Sequence, residues 1–288
     1  MTDSVRWDLD GAVATITLNR PQARNALTAE LKTELLRALR QAGASPEVRA
    51  VLITGAGQAF CAGQDLREHA EFLEAAGSRE GAAAAAGDAP AGVSPAGARP
   101  ARAPAALDTV REHYNPLVMA VRSMPKPVIA AVNGVAAGAG AGLAFACDIR
   151  IAARGASFLM AFARVGLAAD TGVSWTLPRL AGAGRAAELL MLAEPIRAPL
   201  ALELGLVSQV VEDEDLPVTA GALAARLAAG PTAAYAGIKE QLNYAAGHGL
   251  AEALEKEAEV QAALGRTADH QAATLAFTRK QEPRFLGR

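Results

Sequence analysis

Apolar and small polar residues alternate through Ala12–Asn19, "AVATITLN", the period-two pattern of a half-buried strand. The polar loop "RPQARNALT" follows. Thr28 then stands where it would cap the helix "AELKTELLRALRQAG", whose Leu31, Leu35, Leu36 and Leu39 share a face, with Gly43 as the expected stop. "VRAVLITGAG" reads as a buried strand ending in glycines, and "FCAGQDLREHAEFLEAAG" as a turn into a helix. "KPVIAAV" and "CDIRIAA" are further strands. Between them, "LDTVREHYNPLVMAVRSM" has helical character, which Pro116 should bend or break.

Strands alternating with helices imply an α/β core with crossover connections. No repeat period indicates a solenoid. Beyond "LVSQVV" the strand signal fades into four helical segments, "LPVTAGALAARLAAG", "PTAAYAGIKEQLNYAAG", "GLAEALEKEAEVQAALG" and "ADHQAATLAFTRK". We therefore expect a core over residues 1–198 and a helical C-terminal region over 199–288. The Ala/Gly/Pro-rich stretch at about 77–104 lacks apolar periodicity and reads as a flexible insertion within the core.

Composition narrows the function classes. The 288 residues carry 28 Lys+Arg and 30 Asp+Glu, a near-neutral balance that argues against a nucleic-acid partner. Cys61 and Cys147 are the only cysteines, too few for a disulfide framework or a zinc site, and they read as small packing residues in a cytoplasmic protein. The polar, acidic start "MTDSVRWDLDG" lacks the form of a signal peptide. One stretch, "VIAAV" with "NGVAAGAGAGLAFACD", approaches membrane-spanning length. Its Ala and Gly gain little from lipid, and a membrane role is not expected.

That stretch also tests nucleotide chemistry and fails it. Gly138, Gly140 and Gly142 give G-x-G-x-G, but a dinucleotide fingerprint needs Gly at 143, where Leu stands. No Gly-Lys-Ser/Thr occurs. Two readings remain: close helix packing through small residues, or an exposed backbone N–H at a helix start that receives a negatively charged oxygen. The second needs a partner amide from another glycine turn after a strand, and "GAGQAFCAGQDL" is such a turn. His69, His113, His248 and His270 show no metal spacing and read as solvent-facing or packing residues. Asp148, at a strand start, reads as structural.

"LNRPQARNALT", "TGAGQAFCAGQDL", "KPVIAAVNGVAAGAGAGLAFACDIRIAA", "FARVGLAADTGVSWTLPRLAG" and "RKQEPRFLG" together resemble, in order, the crotonase (enoyl-CoA hydratase/isomerase) superfamily. "FCAGQDL", "HYNPLV" and "NGVAAGAGA" are most similar to its ring 1,2-epoxyphenylacetyl-CoA isomerase branch. The resemblance implies a ββα spiral core, a helical trimerisation region, trimers or pairs of trimers, and an acyl-CoA thioester as substrate with no separate cofactor. It places the two oxyanion amides on Gln64 and Ala139. It places CoA contacts on Arg24, Ala26, Ala62, Asp65 and Leu66, with Phe277 and Lys280 reaching CoA from a neighbouring subunit.

Hydratases of this family use two glutamates to hold water. Gly142 stands at the first position and Arg164 at the second, so an ordinary hydratase is not expected. Asp170 in "GLAADTG" is similar to the working aspartate of isomerase and dehalogenase relatives, and the resemblance implies that it acts as the acid, which suits a proton shift on a thioester enolate. Phe158, Phe162 and Trp175 are candidates for the apolar wall that would raise its pKa. Its alternative role is an N-cap for "GVSWTLPRL". Arg164 could be a solvated charge or could line the acyl pocket. The rival functions are a hydratase with an atypical water site and a CoA-binding scaffold without turnover.

Overall fold

The computed structural model describes residues 3–85 and 108–288. Strands β1 (Val5–Asp10) and β2 (Val13–Leu18) form an antiparallel hairpin with Gly11 in the left-handed region at its turn. Helix α1 (Ala29–Ala44) starts at Thr28, whose hydroxyl accepts the Leu31 N–H at 3.2 Å. Gly43 does not stop this helix, which runs through to Ala44 and ends where Ser45 turns extended.

Three similar units follow. The first is β3 (Ala50–Gly55), β4 (Ala59–Cys61) and α2 (Leu66–Ala85). A π-helical turn, Val110–Tyr114, then leads into α3 (Asn115–Arg122). Pro116 lies in the first turn of α3, where its missing N–H costs little, so the break falls just before it. The second unit is β5 (Val128–Val132), β6 (Val135–Ala137) and α4 (Ala139–Ala146). The third is β7 (Ile149–Ala153), β8 (Ser157–Leu159), a 3₁₀ turn at Ala161–Val165, α5 (Val173–Ala181) and α6 (Ala183–Leu192). After β9 (Ile196–Arg197) come α7 (Ala198–Glu203), β10 (Gln209–Val211), α8 (Leu216–Ala229), α9 (Thr232–Ala245), α10 (Leu250–Leu264) and α11 (Ala268–Thr278).

Each unit gives its first strand to a large sheet and its short second strand to a small one. The large sheet runs β1-β2-β3-β5-β7-β10 and the small one β4-β6-β8-β9. From β2 to β10 all pairings in the large sheet are parallel, so each connection must cross over, and the chain winds as a ββα spiral. All five residues of β5 are buried, as a central strand covered on both faces requires.

Helical structure dominates after residue 198, but its first elements belong to the core. β10 is the last strand of the large sheet, and α8 packs on β2, β3, β5 and β7. The Ala-rich stretch expected as an insertion begins inside α2, which continues to Ala85, while positions 86–104 lie outside the described residues. Cys61 and Cys147 are buried, and burial pushes both thiols up to about 12. Asp148 accepts the Val128 N–H at 2.8 Å and pairs with Lys239 at 2.8 Å, tying β5 to α9. Among the described residues no helix is long and apolar enough to cross a membrane.

Candidate active site

Two glycine turns meet where the second strands end. Gly63 follows β4 at φ 88°, and a Cβ built there would lie 2.6 Å from the Ala137 carbonyl oxygen and 3.5 Å from the Ala139 nitrogen. Only glycine permits both the backbone conformation and the approach. The direction of the Gln64 amide follows from its neighbours. Leu27 N–H donates to the Gly63 carbonyl at 2.7 Å, and Asp65 N–H donates to the Leu27 carbonyl at 3.2 Å, in a parallel bridge. In an extended segment the intervening Gln64 N–H therefore points away from Leu27. Ala139 opens α4 behind Gly138 at φ 49°, so its N–H has no acceptor within the helix and lies at the positive end of the helix dipole. Gly140 lets α4 sit on β4, since a Cβ there would lie 2.8 Å from the Cβ of Cys61.

Asp170 sits after β8 and its 3₁₀ turn. Its carboxylate does not cap α5. Gly172 is the N-cap residue and caps with no side chain, and Val173 N–H bonds the Asp170 carbonyl instead. The carboxylate accepts a hydrogen bond from the Thr171 hydroxyl. Thr171 is buried and adopts φ 51°, a strained conformation for a β-branched residue. Burial pushes the Asp170 carboxyl above its ordinary range, opposed by the Thr171 hydrogen bond and the Lys32 charge. A Cβ at Gly142 would lie 2.6 Å from the Cβ of Thr171. The space a glutamate would need at position 142 is thus occupied by the residue that holds Asp170.

A third group of residues escaped the reading of the sequence. Lys32, on α1, is 2% exposed. Its ammonium donates to Gln64 Oε1 at 3.2 Å and to Thr109 Oγ1 at 2.6 Å, and stands 5.0 Å from the centre of the Tyr114 ring. The Tyr114 hydroxyl donates to the same Gln64 oxygen. Both lone pairs of that oxygen are therefore used. Thr109 Oγ1, accepting from Lys32, also shares a 3.1 Å hydrogen bond with His113 Nδ1. Burial and the Lys32 charge lower the His113 pKa. Burial also lowers the Lys32 pKa, against the opposing charges of Glu68 and Asp170, and raises that of Tyr114, with the Asp170 charge adding to it. A cavity of about 260 Å³ opens beside this cluster, lined by Lys32, Gln64, Glu68, Thr109 and His113 among others. His69 and His113, expected to face solvent or pack, both line it. His248 stacks on Tyr244, and His270 is exposed.

The expected CoA loop and turn come together. Ala62 N–H donates to the Arg24 carbonyl at 2.9 Å, and Arg20 bridges the Ala26 carbonyl at 2.6 Å to the Asp65 carboxylate at 2.9 Å. Arg24 and Leu66 are exposed there. Asp65 is committed within the fold. Besides Arg20 it accepts Arg67 N–H at 3.1 Å and Glu68 N–H at 3.4 Å, capping α2. Burial works to raise its pKa, but Arg20 and these two amides hold it below the ordinary carboxylate range. Phe277 and Lys280 are exposed near the C-terminus, and neither lines the cavity.

The three expected wall residues lie in different surroundings. Phe158 is fully buried, stacked on Phe145 at 5.5 Å between centroids, and belongs to the core. Trp175 faces outward at 37% exposure, between Arg122 at 5.2 Å and Arg179 at 4.1 Å. Phe162 alone approaches the glycine turns, 3.9 Å from where a Gly138 Cβ would stand. Arg164 is exposed. A larger cavity of about 830 Å³ lies between the large sheet and α8, away from these residues. Among the described residues no cluster of three metal-ligating side chains occurs.

The family model described as enoyl-CoA hydratase/isomerase matches residues 8–84 and 97–288, breaking within the Ala-rich stretch. The "Probable enoyl-CoA hydratase" of Rhodobacter capsulatus is 41% identical, over 99% of this chain and 98% of its own. The 1,2-epoxyphenylacetyl-CoA isomerase of Escherichia coli is 40% identical over 100% of both chains. A crystal structure from Mycobacterium abscessus, named for an enoyl-CoA hydratase/isomerase, superposes with a TM-score of 0.86 at 44% identity, covering 99% of this chain and 100% of that one.

Proposed function

The chain belongs to the enoyl-CoA hydratase/isomerase family, the crotonase superfamily, and on that premise we propose that it is an acyl-CoA isomerase with Asp170 as its proton carrier. The observation that carries this is the filling of position 142. Thr171 stands where a first water-holding glutamate would project, and its hydroxyl is turned onto Asp170. Arg164 occupies the second position and is exposed.

The thioester oxygen would lie between the Gln64 and Ala139 amides. For a 3-enoyl-CoA, the Asp170 carboxylate takes a proton from the α-carbon. The C–H electron pair enters a dienolate whose oxygen the two amides stabilise. Asp170 then returns the proton to the γ-carbon, and the double bond moves from the 3- to the 2-position with no water gained. A ring-epoxidised phenylacetyl-CoA opening to an oxepin is the second substrate of this reading, supported by likeness to the Escherichia coli isomerase. A raised carboxyl pKa suits an acid that must both take and return a proton.

CoA would lie along Arg24, Ala26, Ala62 and Leu66, with Asp65 shaping the turn rather than binding directly. Phe277 and Lys280 would meet CoA across a subunit boundary in a trimer or pair of trimers. Exposed apolar side chains on the C-terminal helices, Leu242, Leu250 and Leu275 among them, support such an assembly.

The test is a panel of acyl-CoA thioesters followed by mass and by proton–deuterium exchange. Exchange at the α- and γ-carbons without a mass gain of water is expected. Hydration of crotonyl-CoA at comparable rates would favour the hydratase reading instead. Thioester binding with no turnover on any substrate would leave a scaffold.

A further inference from the structure

We propose that Lys32 is a positioning residue for this reaction: it fixes the Gln64 side chain beneath the oxyanion amide, and its buried ammonium is the counter-charge to Asp170. The proposal rests on the isomerase reading above. Lysine is seldom fully buried, and a buried ammonium is costly unless well bonded. Among the described residues both hydrogen-bond partners of the ammonium, Gln64 and Thr109, are neutral. A hydrophobic residue on the same face of α1 would complete the core with less desolvation.

The contacts explain its place. Gln64 supplies its backbone N–H to the oxyanion site, and its side-chain oxygen is held between Lys32 and Tyr114. Other charged or titratable groups surround the pair. Glu68 from α2 accepts the Ala29 N–H at 3.1 Å, and His113 and Glu112 come from the π-helical turn. Tyr114 and the Cys61 thiol hold their protons, and Thr171 bonds Asp170 directly. Lys32 is the cation in this set that acts on Asp170, lowering its proton affinity against burial.

The experiment measures kcat/KM for a 3-enoyl-CoA against pH in the full-length protein and in Lys32→Met, Lys32→Gln, Lys32→Arg and Asp170→Asn. The acidic limb reports the free enzyme's essential base. Loss of the positive charge in Lys32→Met is expected to move that limb upward, with Lys32→Arg restoring it. Lys32→Gln keeps a donor without the charge and should move the limb as far, with a smaller loss on the plateau. It carries the same test if Lys32→Met does not fold. A limb unmoved in the folded charge-removing variants overturns the proposal. Full turnover in Asp170→Asn would instead overturn the proton-carrier reading on which it rests.

Discussion

Gly142 and Thr171 are packed so closely that a Cβ on the first would lie 2.6 Å from the Cβ of the second. Thr171 is held at φ 51° with its hydroxyl on Asp170, so the bare glycine makes room for the turn that presents the carboxylate. The glycine at position 142 is thus part of how Asp170 is held.

Restoring a glutamate should therefore not make a hydratase. Gly142→Glu is expected to displace the 170–172 turn, losing isomerisation without gaining hydration of crotonyl-CoA. Gly142→Ala, the smaller probe, should cost about 1–3 kcal/mol through overpacking, read by denaturant unfolding. A stable Gly142→Glu protein that hydrates crotonyl-CoA would contradict this account.

Asp170→Asn should separate activity from stability. The folded pKa of Asp170 is raised above its unfolded value, so its contribution to stability is full below the unfolded pKa and is lost as pH rises through the folded one. At neutral pH the buried carboxylate is a burden, and Asn removes it. Isomerase turnover is expected to fall by about 10²–10⁴-fold. The Tm at pH 7 should be equal to or above the parent's, and a large drop there would mean that the carboxylate is structural.

Gly63→Ala should act on the oxyanion site. Its φ of 88° disfavours any side chain, and the new methyl would press on the Ala137 carbonyl at 2.6 Å. The two amides would be pushed apart. A loss of about 10²–10³-fold in kcat is expected, with KM changed much less. Steady-state kinetics on a thioester substrate would show it, and unchanged kcat would exclude a role for this approach.

Asp65→Ala should unsettle the same turn through stability. Its folded pKa is depressed, so its stabilisation is present above the unfolded carboxylate pKa and lost as pH falls through the folded value. Removing the α2 cap and the Arg20 ion pair should cost about 1–3 kcal/mol at pH 7. The difference from the parent should shrink in melts taken near pH 3. A constant difference across that range would assign the cost to packing.

Much of the fold was legible in the chain. The strand at 13–18, the Thr28 cap and the four C-terminal helices depend on neighbours one to four residues away, which periodicity and capping chemistry report directly. The approach of the Gly63 and Gly138 turns was foreseeable too, because both glycine turns follow short strands and only glycine allows such close backbone contact. The expected stop at Gly43 falls one residue short of the helix end at Ala44, a difference of the size that frayed helix ends carry.

The aromatic residues were beyond such reasoning. Phe158 and Trp175 stand beside the same motif, yet one stacks in the core and the other lies between two arginines at the surface. Which face each presents depends on how α5 and β8 pack. Lys32 is the clearest case. A lysine beside Leu31 and Leu35 reads as one charge on a helix, and nothing within several residues of it announces Gln64, Thr109 or Tyr114.

By itself the sequence determined the family, the alternation of strands and helices, and the glycine-containing turns after the second strands, because each is written in local residue order. Only the tertiary structure decided that Thr171 packs against Gly142, that Asp170 does not cap α5, and that Lys32 lies buried beside Gln64. The first and last of these join residues about thirty positions apart, and close packing of several elements, not any local pattern, sets their distances.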